Sequence, residues 1–225
     1  MGQRIAGRIA WLMPCRAPPW RGAASVPANR RRRPASIAWR RDRIAPVGAP
    51  PPVLLAVGGL SGTGKSLLAR EIAADILPEP GAVVLRSDVE RKALFGIVES
   101  DRLPNSAYTP AITAKVYALL IDKARRVTSA GHSAIVDAVF ADAGERAAIA
   151  QAAPAGAFRG LFLTADLATR LARVGGRKGD ASDAGAAVAR EQEQYDLGAL
   201  QWTAVDASGS PEQTLRRAKA ALGMA

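Results

Sequence analysis

Short apolar runs alternate with stretches of helical period along the chain from Val53 onward. Each run is only four to six residues long and is bounded by turn or capping residues, as buried strands of a parallel sheet are. Five core strands are predicted, at 53–57, 82–86, 133–137, 158–163 and 203–206. Strands that alternate with helices predict an α/β fold of three layers, in which helices cover both faces of a mostly parallel sheet.

Helices are predicted in the gaps between these strands. Leu68, Ile72 and Ile76 repeat at four-residue steps after the first strand, which places them on one apolar helix face. Capping residues mark three later helix starts: Thr109 before Pro110, Asp142 in capping-box spacing with Glu145, and Ser210-Pro211 before Gln213. We therefore expect helices to begin near residues 110, 143 and 211.

Positive charge is concentrated at the beginning of the chain. The first 46 residues hold eleven arginines and a single acid, Asp42, so they carry ten of the eleven net positive charges. Residues 1–52 are also proline-rich and lack a core pattern, which predicts a basic, mostly disordered segment and linker before one domain at 53–225. Three interpretations of this segment stay open: an organellar transit segment, a tail for nucleic acid or an anionic surface, and a low-information leader.

The cysteine content and the apolar runs bear on location. Cys15 is the single cysteine, so the chain forms no internal disulfide and is compatible with a reducing compartment. The longest apolar stretch, 53–60, is far shorter than the roughly 20 residues that cross a bilayer. We expect a cytoplasmic protein without a membrane partner.

A phosphate-binding motif follows the first strand directly. Residues 59–66 read Gly-Leu-Ser-Gly-Thr-Gly-Lys-Ser and satisfy G-x-x-x-x-G-K-[ST] between an apolar strand and an amphipathic helix. In such a P-loop, main-chain N–H groups cradle the phosphates, Lys65 reaches the β- and γ-phosphates, and Ser66 can bind Mg²⁺. The predicted nucleotide-binding residues are Gly59, Leu60, Ser61, Gly62, Thr63, Gly64, Lys65, Ser66 and Leu67.

Two motifs that are missing from the sequence limit the choice of nucleotide and of reaction. Neither asparagine of the chain, Asn29 or Asn105, is followed by lysine, so the N-K-x-D pattern that selects guanine is missing and ATP is the expected donor. Asp137 ends the third predicted strand and is followed by Ala138, where a dedicated ATPase usually has glutamate to polarise water. Asp137 is predicted to orient Mg²⁺ beside the P-loop, so ATP and Mg²⁺ are the expected cofactors.

The end of the second predicted strand offers candidate acceptor-side residues. Asp88 follows this strand at the carboxyl edge of the sheet, where ligands of such folds bind, and can act as a general base for an attacking hydroxyl. Arg91 lies three residues later on the same helix face and can bind the acceptor substrate. The alternative is structural: Ser87 or Asp88 caps the next helix, and Arg91 is a solvated charge.

Three arginines share one stripe of a later helix. Asp166 can cap a helix that carries Arg170, Arg173 and Arg177, and glycines at 175, 176 and 179 make its end flexible. Arg173 and Arg177 are therefore candidate catalytic residues of a lid that closes over ATP. An ordinary basic helix face is the alternative.

Together, the P-loop, Ser87-Asp88-x-x-Arg91, the strand ending in Asp137 and Arg173-x-x-x-Arg177 resemble the small P-loop kinases. That group includes polynucleotide 5′-hydroxyl kinases, gluconate and shikimate kinases and zeta toxins. The chain is most similar to a bacterial kinase-like domain, usually described only as an AAA-family ATPase, that is sometimes found behind an aminoglycoside-phosphotransferase-like domain. The similarity covers roughly residues 53–222.

This resemblance implies a P-loop NTPase fold with an arginine-bearing lid, and catalytic roles for Lys65, Asp88, Arg173 and Arg177. Polynucleotide kinases of this group commonly continue the strand-end aspartate with Thr-Asn, whereas Asp137 is followed here by Ala138-Val139. A small-molecule acceptor is therefore preferred to nucleic acid. The alternatives are a nucleotide-dependent regulatory module and a 5′-hydroxyl polynucleotide kinase recruited through the basic segment.

Overall fold

A sheet of five parallel strands is central to the computed structural model, which describes residues 50–176 and 181–224. The strands are β1 (Leu54–Gly59), β2 (Val83–Arg86), β3 (Ala134–Asp137), β4 (Phe158–Thr164) and β5 (Thr203–Asp206). Their order in the sheet is β2-β3-β1-β4-β5, and each neighbouring pair is parallel. All five predicted strands are confirmed within two residues at each end.

Seven α-helices surround this sheet in the described residues. They are α1 (Lys65–Ile72), α2 (Ser87–Leu94), α3 (Pro110–Ser129), α4 (Ala143–Ala150), α5 (Leu167–Gly175), α6 (Ala186–Glu191) and α7 (Pro211–Ala221), with 3₁₀ turns at Ala73–Asp75, Asn105–Tyr108 and Gln192–Gln194. Thr109 and Asp142 cap α3 and α4 through their side chains, and Ser210 forms a reciprocal capping box with Gln213 at α7. The three predicted helix starts are confirmed.

Side chains of β1 alternate between two apolar layers. Leu54 and Ala56 are fully buried in a core cluster built with α3 and α4. Leu55 and Val57 are fully buried on the opposite face, in a cluster with α1 and α7. Because both faces of β1 are covered, the chain forms the predicted three-layer α/β fold, and the loop that follows β1 begins from a rigid strand.

Neighbouring strand ends place three segments beside one another. β1 is flanked by β3 and β4, and Val57 is in register with Asp137 at the end of β3. Asp137 is also in register with Arg86 at the end of β2. A crevice at the carboxyl ends of the strands, next to the point where the strand order reverses, is where ligands bind in open α/β sheets. The residues after β1, β2 and β3 therefore meet at one edge.

Residues 1–49, 177–180 and 225 lie outside the described part of the chain. The basic segment and Arg177 fall in these ranges, so the predictions made for them, including the division at residue 52, stay predictions. No helix of the described residues is long and apolar enough to cross a bilayer.

Candidate active site

The turn from β1 into α1 requires glycine at two positions. Gly59 has φ 138°, and a Cβ there would lie 2.6 Å from the carbonyl oxygen of Leu163. Gly62 has φ 91°, and its Cβ would lie 2.6 Å from the carbonyl oxygen of Arg170. Both backbone conformations disfavour other residues, and both positions lack the space for a side chain. The glycines of the motif thus allow the loop to pack directly on β4 and α5.

The loop is held in its curved form by its own side chains. The carbonyl oxygen of Leu60 accepts hydrogen bonds from Thr63 Oγ1 at 2.8 Å and from Lys65 Nζ at 3.2 Å. The main-chain N–H groups of Gly62 and Gly64 have no acceptor among the described residues. Unpaired N–H groups at a helix N-terminus, beside a lysine ammonium, are the donors that bind phosphate.

Ser66 and Asp137 form the candidate metal site. Ser66 Oγ donates a hydrogen bond to Asp137 Oδ2 at 2.5 Å, and Arg86 Nε lies 3.4 Å from the same oxygen. No cluster of three acidic, histidine or cysteine side chains that could hold a metal occurs in the described residues. Mg²⁺ needs no such cluster, because it keeps several waters and takes phosphate oxygens beside one or two protein ligands. The hydroxyl and carboxylate oxygens therefore fit this ion.

Asp88 lies in the first turn of α2 with a perturbed carboxyl group. Burial raises the pKa of Asp88, and the negative charge of Asp137 raises it further. The positive charge of Lys65, a hydrogen bond with Ser182 and the positive charge of Arg86 each lower this pKa. The N-cap residue of α2 is Arg86, and no side chain caps this helix, so the structural alternative of a capping role for Asp88 is not observed.

Arg91 is a buried wall residue rather than a solvated charge. It is 7% exposed, and its Nη1 donates to the carbonyl oxygen of Ala107 at 2.7 Å and to Thr113 Oγ1 at 3.3 Å. The guanidinium also lies 5.0 Å from the centre of the Tyr108 ring. These contacts hold Arg91 in one orientation.

One cavity of about 630 Å³ brings six of the predicted residues together. The P-loop residues Ser61, Lys65 and Ser66 line it at one end, together with Asp137. Further wall residues are Asp88, Arg91, Arg102, Tyr108, Tyr117, Glu145, Asp183, Glu191 and Tyr195. We call this space the acceptor cavity. Its polar lining beside the P-loop allows a second molecule to bind next to a nucleotide phosphate.

Tyr117 and Glu145 form a half-buried polar pair in the acceptor cavity, and no role in the site was predicted for either from the sequence. Tyr117 Oη accepts the N–H of Phe140 at 3.0 Å and is hydrogen-bonded to the Glu145 carboxyl. Burial raises the pKa of Glu145 and raises that of Tyr117 well above its usual range. Glu145 was recognisable only as a capping-box residue, because its distance from Tyr117 depends on how α3 and α4 pack.

Asp183 joins the segment after residue 180 to the α2 side of the acceptor cavity. Its carboxylate accepts hydrogen bonds from the Leu103 N–H at 3.0 Å and the Tyr108 hydroxyl at 2.8 Å, and lies 3.3 Å from the ammonium of Lys92. Burial acts to raise the pKa of Asp183, but these three donors together lower it. The Lys92 side chain is 1% exposed and the Asp183 side chain 12%, so this ion pair is largely buried. No local sequence pattern signals it.

The predicted arginine stripe divides between two environments. Asp166 caps α5 as expected. Arg170 is fully buried under the P-loop, where it pairs with Glu193 and donates to the carbonyl oxygens of Ser61 and Ala189. Arg173 donates to the carbonyl oxygens of Ala207 at 2.7 Å and Gly209 at 2.6 Å, after β5. The structure does not bring Arg173 to Asp88, and the lid role of Arg173 and Arg177 stays a prediction.

Arg173 lines a second cavity, of about 580 Å³, on the other side of the P-loop. Gly62, Thr63 and Gly64 line it together with Pro211 at the start of α7. We call it the donor cavity. The P-loop thus separates two spaces, and Ser66 borders both.

Known proteins share this fold. Solved structures that resemble it include a sugar kinase from Janibacter sp. HTCC2649 (TM-score 0.56, 22% identity, 78% of this chain and 96% of that one) and a gluconokinase from Sinorhizobium meliloti 1021 (TM-score 0.53, 22% identity, 76% and 92%). The Mycobacterium tuberculosis APS kinase CysC is also similar (TM-score 0.54, 21% identity, 77% and 99%). These likenesses establish the fold of the P-loop kinases.

Sequence comparisons agree with the fold. Uncharacterized protein Rv2004c of Mycobacterium tuberculosis is 32% identical over 175 residues, which are 73% of this chain, and Mb2027c of Mycobacterium bovis matches equally. The chain spans about a third of the length of these relatives. The family model described as "AAA domain" matches residues 54–196. The chain therefore belongs to this AAA domain family, with the fold of a small P-loop kinase.

Proposed function

We propose that the chain transfers the γ-phosphoryl group of ATP to a hydroxyl group of a small molecule bound in the acceptor cavity. The observation that carries this proposal is the opening of Asp88, Lys65 and Ser66 into the same cavity. A candidate base and the phosphate-binding ammonium thus face one space. Its volume of about 630 Å³ suits a small-molecule ligand.

On the donor side, residues 59–67 hold the phosphates and Lys65 contacts the β- and γ-phosphates. The donor cavity takes the nucleoside, beside Arg173 and Pro211. Ser66 and Asp137 would hold Mg²⁺, which would supply positive charge to neutralise the phosphate oxygens. The predicted lid function of Arg173 and Arg177 belongs to this half of the proposal.

On the acceptor side, Asp88 accepts the proton of the attacking hydroxyl. Its raised pKa makes the carboxylate a stronger base than an exposed aspartate, and the positive charge of Lys65 acts to lower that pKa. Arg91 binds the acceptor, since its contacts with Ala107 and Tyr108 fix the guanidinium at the cavity wall. Glu145 and Tyr117 complete the acceptor binding surface.

The proposal is tested with two variants that affect different halves of the site. Lys65→Ala removes the ammonium and is expected to abolish nucleotide use. Asp88→Asn keeps the shape of the side chain and is expected to lower phosphoryl transfer by about 10²- to 10⁴-fold, the contribution of a general base, while ATP binding is retained. Turnover with a panel of hydroxyl compounds and calorimetry with ATP measure the two effects.

Asp122→Asn is the matched control, because Asp122 is exposed on α3 and forms a surface ion pair with Arg126. It is expected to leave binding and turnover unchanged. Normal turnover in Asp88→Asn would remove the proposed base. ATP consumption without a phosphorylated product across the panel would instead favour a nucleotide-dependent regulatory module.

A further inference from the structure

One main-chain N–H of the P-loop is already occupied by a distant side chain. Gln192 is 5% exposed, and its Oε1 accepts the N–H of Ser61 at 2.7 Å. The nearby N–H groups of Gly62 and Gly64 have no such acceptor among the described residues. Because a P-loop uses its N–H groups to bind phosphate oxygens, the Gln192 carbonyl oxygen occupies a position that suits a phosphate oxygen.

The occupied N–H group lies on the acceptor side of the loop. Ser61 and Gln192 both line the acceptor cavity, whereas Gly62, Thr63 and Gly64 line the donor cavity. A nucleotide whose nucleoside occupies the donor cavity extends its terminal phosphate toward the acceptor cavity. Ser61 is therefore placed for the last phosphate of a triphosphate, which a diphosphate lacks.

Gln192 also belongs to the wall of the acceptor cavity. It begins the 3₁₀ turn Gln192–Gln194, and its neighbour Glu191 lines the cavity, as Tyr195 does after the turn. The Arg170 guanidinium holds this segment by donating hydrogen bonds to the Glu193 carboxylate and the carbonyl oxygen of Ala189. The Gln192 bond is thus a direct link between the phosphate loop and the acceptor wall.

We propose that Gln192 is a positioning residue that distinguishes nucleoside triphosphate from diphosphate. An oxygen of the terminal phosphate replaces Gln192 Oε1 at the N–H of Ser61, because a charged oxygen is the stronger hydrogen-bond acceptor. A diphosphate leaves the Gln192 bond in place. This inference rests on the proposed nucleotide-dependent function and adds a group that couples the donor phosphate to the acceptor wall.

Two substitutions at this position separate competition from a structural role. Gln192→Ala removes the competing oxygen and is expected to tighten binding of a nonhydrolysable ATP analogue about 2- to 10-fold, the equivalent of one hydrogen bond, with little change for ADP. Gln192→Glu is nearly isosteric but places a negative charge beside the terminal phosphate, and is expected to weaken binding of the analogue about tenfold or more relative to ADP. Calorimetry with Mg²⁺ and each nucleotide measures both ratios.

Gln194 provides matched controls, because it is exposed in the same 3₁₀ turn. Gln194→Ala and Gln194→Glu are expected to leave the ratio of the two dissociation constants at the wild-type value. Opposite shifts of this ratio in the two Gln192 variants support the proposal, since misfolding would weaken the binding of both nucleotides and leave the ratio unchanged. An unchanged ratio in both Gln192 variants overturns it. If the wild-type protein binds neither nucleotide, the proposed function itself is wrong.

Discussion

The donor and acceptor sides of the site are built in different ways. The phosphate-binding part of the proposed donor side is one continuous segment, residues 59–66, whose glycines permit its close packing on β4 and α5. The acceptor side is formed by side chains from α2, α3, α4, the segment after residue 180 and the turn after α6. The proposed phosphate-binding loop is therefore encoded locally, whereas the proposed acceptor site depends on how distant helices pack.

Gly62→Val is expected to have the largest effect, on the donor side. The new Cβ would meet the carbonyl oxygen of Arg170 at 2.6 Å on a backbone with φ 91°, so the loop cannot keep its form. We expect the loss of measurable ATP binding in calorimetry. In the matched control Gly175→Ala, a Cβ meets no atom within 4 Å, and unchanged ATP binding is expected. Normal binding in Gly62→Val would show that the loop geometry is dispensable.

Lys92→Met tests the acceptor side by removing one partner of a buried ion pair. Asp183 then keeps its bonds to Leu103 and Tyr108 but loses its counter-charge. The expected cost is about 3–5 kcal/mol in the free energy of unfolding, measured by urea denaturation.

Lys219→Met is the control for this substitution, since the Lys219–Asp75 pair is substantially exposed. Its expected cost is at most about 1 kcal/mol. Equal destabilisation by the two substitutions would mean that the Lys92–Asp183 pair does not hold the segment after residue 180 in place.

The difference between the two sides explains which parts of the site could be predicted from the sequence. Residues 59–66 follow from a motif and Asp137 from its place at the end of an apolar strand, so the fold and the phosphate loop were predictable. Asp88 followed from its place after β2. Asp183 and Gln192 were missed, because their bonds to Lys92 and Ser61 span 91 and 131 residues and leave no local pattern.

The pH dependence of transfer sharpens the role of Asp88. Burial and the charge of Asp137 raise its pKa, so the acidic limb of kcat/KM is expected above pH 4, where an ordinary aspartate titrates. Ser182→Ala removes a hydrogen bond that lowers this pKa and is expected to move the limb to higher pH. A limb that stays in place would contradict the contact between Ser182 and the base.

The raised pKa of Asp88 also predicts how the stability of the fold changes with pH. Its folded-state pKa is raised above the unfolded value of about 3.9, so the folded state binds the proton more tightly than the unfolded state does. The folded state therefore loses stability as the pH rises from the unfolded-state pKa through the folded-state pKa. Asp88→Asn is therefore expected to unfold at a slightly higher temperature than the wild type at neutral pH. A lower melting temperature would indicate that the carboxylate stabilises the fold.

Tyr117→Phe is expected to have the smallest effect. It removes the hydroxyl that contacts Glu145 and the N–H of Phe140 but leaves the ring packed against Phe140. We expect a rise in the acceptor KM of about 2- to 10-fold, the equivalent of one hydrogen bond, with the ATP KM unchanged. Tyr195→Phe, at an exposed position on the same cavity, measures the effect of losing a hydroxyl without a buried partner. A rise in the ATP KM alone would assign Tyr117 to the donor side.

The fate of the γ-phosphate in ¹⁸O-enriched water tests most directly whether the phosphoryl group passes to a bound hydroxyl acceptor or to water. We predict that phosphorus NMR of the wild-type reaction with ATP, Mg²⁺ and a panel of hydroxyl metabolites will show a phosphate ester without oxygen from water. Release of the γ-phosphate solely as inorganic phosphate that contains one water oxygen would contradict the account.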